Sequence, residues 1–244
     1  MRLTTRAAGL LAVAAALPLA LTACSSSDGS DGSGTAGSSG GATASAAAKS
    51  PAPLTGARLK KALAPASFFG AGYAVDPSGA RDTGTDYQEP SSDPAALAKP
   101  DCTKFGGTSW LAITGDEGVS FAQNDYVNSA TTTDIAQQID TFRGTGARTV
   151  LTHLRKAAEA CPTYRDADTK STVKVTGTAT AALGDAAYTL TLTDPTWENG
   201  TTLIAVRVGP SVISVMSTDG KDNGAATAGK LAAKISDAVS AAQH

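Results

Sequence analysis

The chain has 244 residues, 41% of them hydrophobic and 5% aromatic, with 20 basic residues against 22 acidic ones and a formal net charge of −2. Charge of that balance, spread without long like-charge blocks, excludes the basic surface that nucleic-acid binding needs. Three cysteines and two histidines leave little material for a metal centre.

Arg2 and Arg6 precede an apolar run from Ala7 to Leu21. The run is short for a membrane span, which takes roughly 20 apolar residues. It has instead the layout of a secretion signal that is removed from the mature protein. Its end, Leu21-Thr22-Ala23-Cys24, resembles the bacterial lipobox, in which Cys24 receives lipid and becomes the first mature residue. Residues 1–23 are therefore assigned to the signal, and the mature chain keeps 18 basic residues against 22 acidic ones, a net charge of −4. Cys24 is the lipidation site, and the expected location is the extracytoplasmic side of the cell membrane.

Residues 24–53 are almost wholly Ser, Gly, Ala, Asp and Thr before Lys49-Ser50-Pro51-Ala52-Pro53. A segment without bulky apolar side chains cannot offset the entropy of ordering, so it reads as a flexible linker with an r.m.s. span of roughly 30 Å. Residues 54–244 are then expected to form one domain.

In that domain, Thr55 is placed to cap a short helix that carries Leu59, Ala62 and Leu63 and stops before Pro65. Asp76 to Ser92 reads as a long loop, and Asp93-Pro94 opens a helical piece bearing Cys102. Trp110 to Thr114 and Val119 to Val127 read as a hairpin around Gly115-Asp116-Glu117-Gly118. Ile135, Ile139 and Phe142 recur at helical spacing, with Thr133 or Asp134 as cap. A stronger helix spans about Ala147 to Ala160, with Val150, Leu154, Ala157 and Cys161 on one stripe.

The period then changes. Val173 and Val175, followed by Tyr188, Leu190 and Leu192, alternate as half-buried strands do, with Thr189, Thr191 and Thr193 opposite. Asp194-Pro195 and Asn199-Gly200 bracket a loop with Trp197 near its tip, and Thr202, Ile204, Val206 and Val208 carry the return strand. Ser211 to Ser217 is apolar on both faces and belongs in the middle of a sheet. Asp222 or Asn223 caps a last helix bearing Ala228, Leu231, Ala232, Ile235 and Val239. The fold class is α+β, a twisted antiparallel sheet of about five or six strands with helices packed mainly on one face.

Cys102 and Cys161 lie outside the cytoplasm once Cys24 is lipidated, and are expected to form a disulfide. Such a loop stabilises by about 4 kcal/mol through closure entropy. No Gly-x-Ser-x-Gly elbow, phosphate-cradling loop or His-Glu-x-x-His is present, so no catalytic residue, metal ligand or cofactor is assigned. His153 sits at the edge of an apolar stripe, and Asp219 to Lys230 has Lys at the third and twelfth positions of a calcium loop, which excludes it. Candidate ligand-binding residues are Trp110 with Tyr126, Trp197 and Arg207, since exposed aromatics anchor recognition surfaces and a lone cation on an open sheet face attracts anions.

The lipobox, Asp101-Cys102-Thr103, Ala158-Glu159-Ala160-Cys161-Pro162, Leu183-Gly184-Asp185 and Val206-Arg207-Val208-Gly209 together resemble actinobacterial surface lipoproteins with a PknH-like extracellular sensor domain. The resemblance covers most of Leu54 to Ala242. It implies an antiparallel sheet with flanking helices, a cleft for an unidentified ligand and no enzymatic activity. Members of the family commonly have two disulfides, whereas this chain has cysteines for one. The expected function is a lipid-anchored binding or sensor module for a small-molecule or cell-wall ligand, the alternatives being an extracellular hydrolase with an acidic site and a structural envelope lipoprotein. Cys24→Ala is expected to leave the chain unlipidated and in the aqueous phase on detergent partitioning; membrane retention of the correctly processed variant would contradict the anchor.

Overall fold

The computed structural model describes residues 51–89, 99–106 and 110–244. The signal 1–23, Cys24, the linker up to Ser50 and the helix start at Asp93-Pro94 lie outside the described residues. The chain divides into two units, Met1–Ala46 and Ala47–His244, and all described residues fall in the second. No helix among them is long and apolar enough to cross a membrane.

The described residues form α1 (Gly56–Ala62), β1 (Ala74–Asp82), β2 (Ser120–Asn128), β3 (Thr133–Thr141), α2 (Gly146–Ala160), β4 (Thr163–Arg165), β5 (Thr172–Thr180), β6 (Ala186–Thr193), β7 (Thr201–Val208), β8 (Ser211–Ser217) and α3 (Ala225–Ala242). The strands make one sheet in the order β1-β2-β3-β8-β7-β6-β5-β4, antiparallel at every pairing. Its eight strands exceed the five or six expected. Three strands fall where none is expected, since β1 occupies part of the expected loop, β3 takes up the expected helix at Ile135 and β4 follows Cys161, while the expected strand Trp110–Thr114 is lost.

Edge strand β1 contains Pro77 and Gly79, and its register against β2 shifts between Asp76 and Arg81. Proline lacks an amide for the ladder, and a bulge at a sheet edge accommodates it. In β3, Thr133 and Asp134 begin a strand and cap no helix. Trp110–Thr114 is a 3-10 turn, not a strand, and β2 pairs with β3. β8 lies fourth in the sheet and every one of its residues is buried, in keeping with its two apolar faces.

Period-2 alternation sends each strand's side chains to two faces, and both faces are covered. On the back, Ala122, Tyr126, Ile135, Ile139, Ile204, Val206, Ile213 and Val215 pack with Leu59 of α1 and Leu231, Ile235 and Val239 of α3. On the front, Val173, Val175, Tyr188, Leu190, Leu192, Leu203, Val212 and Met216 pack with Val150, Leu151, Leu154 and Ala157 of α2. Helices thus flank both faces, which corrects the expected one-sided packing. A sheet with apolar residues at odd and even positions of β7 and β8 must be sheltered twice. Gly177 makes room on the front, since a Cβ there would lie 2.1 Å from the Tyr188 hydroxyl.

The ends are fixed by side chains that reach backbone. Gln137 brackets Ala64, accepting from its amide at 2.9 Å and donating to its carbonyl at 2.7 Å. The N-cap of α3 is Gly224 in a left-handed conformation, not Asp222 or Asn223; Asp222, two residues earlier, accepts from Ala226 N at 2.8 Å, and Asn223 receives the Gly200 amide. Cys102, in a 3-10 turn spanning Cys102–Gly106, is disulfide-bonded to Cys161 at the end of α2, with Cα atoms 5.6 Å apart. The bond fastens the front layer at a residue that is itself completely buried.

In the secreted native chain both thiols are expected to resist alkylation until reduced. Cys102→Ala/Cys161→Ala should lower stability by about 2–5 kcal/mol in urea unfolding. An unchanged midpoint would contradict the role given to the bond.

Candidate functional site

α2 packs against β5, β6, β7 and β8 and leaves the front of β1, β2 and β3 without a helix. Several strand residues that face forward there are polar, beside Phe121 and Ala136. Arg81, Gln123, Gln138 and Ser214 stand beside one another in register across β1, β2, β3 and β8. Asp125 and Asp140 lie to either side of that row. Such a pattern is what a sheet face needs when no apolar layer covers it.

The row is tied together by hydrogen bonds. Arg81 donates to Gln123 Oε1 from Nε at 3.1 Å and from Nη2 at 3.0 Å, and Gln123 Nε2 donates onward to Asp125 Oδ2 at 2.9 Å. Gly79 presses against Asp125, where a Cβ would come within 2.3 Å of the carboxylate. That closeness shuts water out, and Asp125 Oδ1 is buried with no hydrogen-bond partner. Burial pushes Asp125 up to about 6, against the opposing Gln123 hydrogen bond and with a further rise from Asp76.

On the other side of the row a cavity of about 370 Å³ opens between the sheet and the Trp110–Thr114 turn. Gln138, Asp140 and Ser214 line it from the sheet, Phe121 and Phe142 flank it, and Leu111, Thr114 and Val150 line it from the front layer. Glu89, Asp116 and Glu117 complete the lining with charge. Gln138 Nε2 donates to both oxygens of Asp140 at 2.9 Å. Burial pushes the Asp140 carboxyl up to about 7 despite that donor. Ser214, 4% exposed, has an enclosed Oγ with no hydrogen-bond partner in the protein. His153 Nδ1 lies 2.9 Å from Asp116 Oδ2, which orients the imidazole toward the rim acid; His153 itself is not part of the lining.

The residues singled out from sequence are dispersed. Trp110 is 1% exposed and packs in the front core beneath α2, so it offers no surface. Tyr126, also 1% exposed, faces the back, where its hydroxyl donates to Ala64 O at 2.8 Å and accepts from Asn124 Nδ2. The two are separated by the sheet because Tyr126 shares the parity of Ala122 on β2. Arg207 is no lone cation: its side chain is 16% exposed and its Nη1 meets Asp185 Oδ2 at 2.8 Å. Asp185 also accepts from Gly209 N, so the pair fastens the strand corner.

Trp197 lines a cavity. It borders a second opening of about 400 Å³ with Phe105, Thr133, Asp134, Glu198 and Met216. Sequence reasoning missed Gln123, Asp125, Gln138, Asp140 and Ser214; the apolar pairs Ala122/Tyr126 and Ile135/Ile139 mark one face of their strands, but Asn124 and Gln137 on that same face break the alternation that would have exposed the other.

No family model matches the chain, and no curated protein is similar to it. Among solved structures, the extracellular domain of PknH from Mycobacterium tuberculosis is similar at 16% identity, with a TM-score of 0.45 over 77% of this chain and 97% of that one.

Asp125 and Asp140 hold protons more tightly in the folded chain than in the unfolded one. Between about pH 4 and pH 7 the native state therefore carries more protons, and stability falls as pH rises through that window before levelling off. Asp140→Asn is expected to flatten the upper part of the fall and to stabilise the chain at pH 7.5, by on the order of 1–3 kcal/mol. Urea midpoints measured from pH 4.5 to 8 check this, and a variant with the wild-type slope would contradict it.

Proposed function

We propose that this chain is a lipid-anchored, non-enzymatic ligand-binding module held outside the cell on the cytoplasmic membrane. The lipobox and linker support the address. A disulfide between Cys102 and Cys161 suits an oxidising compartment. Binding is supported above all by Ser214, a buried hydroxyl without a partner at the floor of a cavity of small-molecule size. An unanswered buried hydroxyl costs about 1–3 kcal/mol, which a ligand's polar group recovers.

The hydrolase reading would need two carboxylates at one bond. The two acids with strongly raised pKa are Asp125 and Asp140, and Asp125 stands opposite Ala136, four residues along β3 from Asp140. At about 3.4 Å per residue the separation along the strand is roughly 14 Å, beyond the ~5–9.5 Å that paired glycosidase carboxylates span.

The test is native mass spectrometry of the full chain released from membranes in a mild detergent. A co-purifying small molecule is expected on the wild type and at least tenfold less of it on Ala112→Trp, which places a large ring at the cavity rim from an exposed position. Equal loading of both proteins would count against the cavity.

A further inference from the structure

The cavity carries one sign of charge. Among the described residues its lining holds Glu89, Asp116, Glu117 and Asp140 and neither lysine nor arginine. Glu89 and Asp116 are answered from the rim: Arg143 reaches Glu89 at 3.4 Å from an exposed position, and His153 lies against Asp116. Asp140, on the floor, receives its hydrogen bonds from the neutral amide of Gln138. A carboxylate offers about four acceptor sites, so Gln138 leaves room for further donors. Beside it, Ser214 Oγ adds another acceptor with no donor supplied by the protein. Gln138 and Ser214 are paired in register across β3 and β8, so carboxylate and hydroxyl belong to one rigid patch.

The size and spread of these groups decide what kind of cation they suit. Among the described residues, no three His, Cys, Asp or Glu side chains converge as a metal ion requires. The space, about 370 Å³, falls within the range of about 300–1,000 Å³ of small-molecule sites. Phe121 and Phe142 contribute aromatic rings to the wall, and Leu111 and Val150 contribute apolar surface. Aromatic rings attract cations through their quadrupole and tolerate hydrocarbon equally.

Resting on the binding reading above, we infer that the cavity takes a small organic ammonium ion, its N–H groups received by Asp140 and Ser214 and its carbon skeleton laid against Phe121 and Phe142. An ammonium group brings three donors and no acceptor, which matches a floor made of acceptors. An anionic ligand would bring like charge against Asp140 in a site where water screens poorly. A neutral alcohol could satisfy Ser214 and leave the carboxylate without a counter-charge.

The experiment is amide-resolved NMR titration of the detergent-solubilised full chain at pH 8, with methylammonium, putrescine and phenethylamine as probes and 2-phenylethanol and phenylacetate as the neutral and anionic counterparts of the last. Phenethylamine is expected to shift the amides of Phe121, Gln138 and Ser214 and to bind at least tenfold more tightly than either counterpart. Asp140→Asn should weaken the amine at least tenfold and leave 2-phenylethanol unaffected, and Ser214→Ala, which removes a hydroxyl without adding volume, should weaken it severalfold. Equal or tighter binding of phenylacetate or 2-phenylethanol, unchanged by Asp140→Asn, would overturn the cation assignment while leaving the binding reading intact. No shift at these amides with any probe at 10 mM would overturn both.

Discussion

Half of one sheet face is left without a helix, and the chemistry of the molecule follows from that. α2 is joined at its end to the Cys102 turn, and its apolar stripe lies over β5 to β8. On the remaining strands no helix packs over the front, where Phe121 and Ala136 stand among a group of polar positions. The polar ones are Arg81, Gln123, Asp125, Gln138 and Asp140, while the same strands keep Ala122, Tyr126, Ile135 and Ile139 for the back. One register therefore sets both a sealed core and a polar surface. A slip of a single residue would exchange the two.

The polar half differs from an ordinary solvated sheet face because it is only partly wet. Gly79 lets the edge strand close on Asp125, and the Trp110–Thr114 turn overhangs Asp140 and Ser214. Removing water from carboxylates without giving them cations holds protons on them, which is why both acids are raised and why folding works against a charge gradient as pH rises. Arg81 donates to Gln123 from Nε and Nη2, and its charge opposes the rise at Asp125. Asp140 has Gln138 in the corresponding place, with no arginine behind it. The asymmetry leaves Asp140 as the end of the row open to a ligand's charge.

Much of the domain was legible in the sequence where period and punctuation agreed. α2, α3 and β5 to β8 follow from unbroken stripes or alternations bounded by Asp-Pro, Asn-Gly and Gly-Pro. The front half was not, for specific reasons. Ile135 and Ile139 are four apart, a spacing that suits both a helix face and a strand face, and Phe142 at seven tips the balance to helix. In the fold β3 ends at Thr141, and Phe142 packs on the front while the isoleucines face the back. Pro77 and Gly79 gave β1 the look of a loop, although both sit in its bulge. With β1 and β3 unread, Gln123, Gln138 and Ser214 could not be placed in one row. Aromatic scarcity misdirected attention as well, since Trp110 and Tyr126 are large enough to be needed inside a small core.

The charge of the site is set by one half-buried acid, Asp140, and by what lowers its pKa. Carbon-detected NMR of the Asp140 side-chain carboxyl, titrated with and without saturating phenethylamine, reads that state directly. A midpoint near 7 in the unliganded chain, falling by at least one pH unit when the amine is present, is the expected result. A midpoint near 4 in the unliganded chain, or one that does not move with the amine, would contradict the site described here.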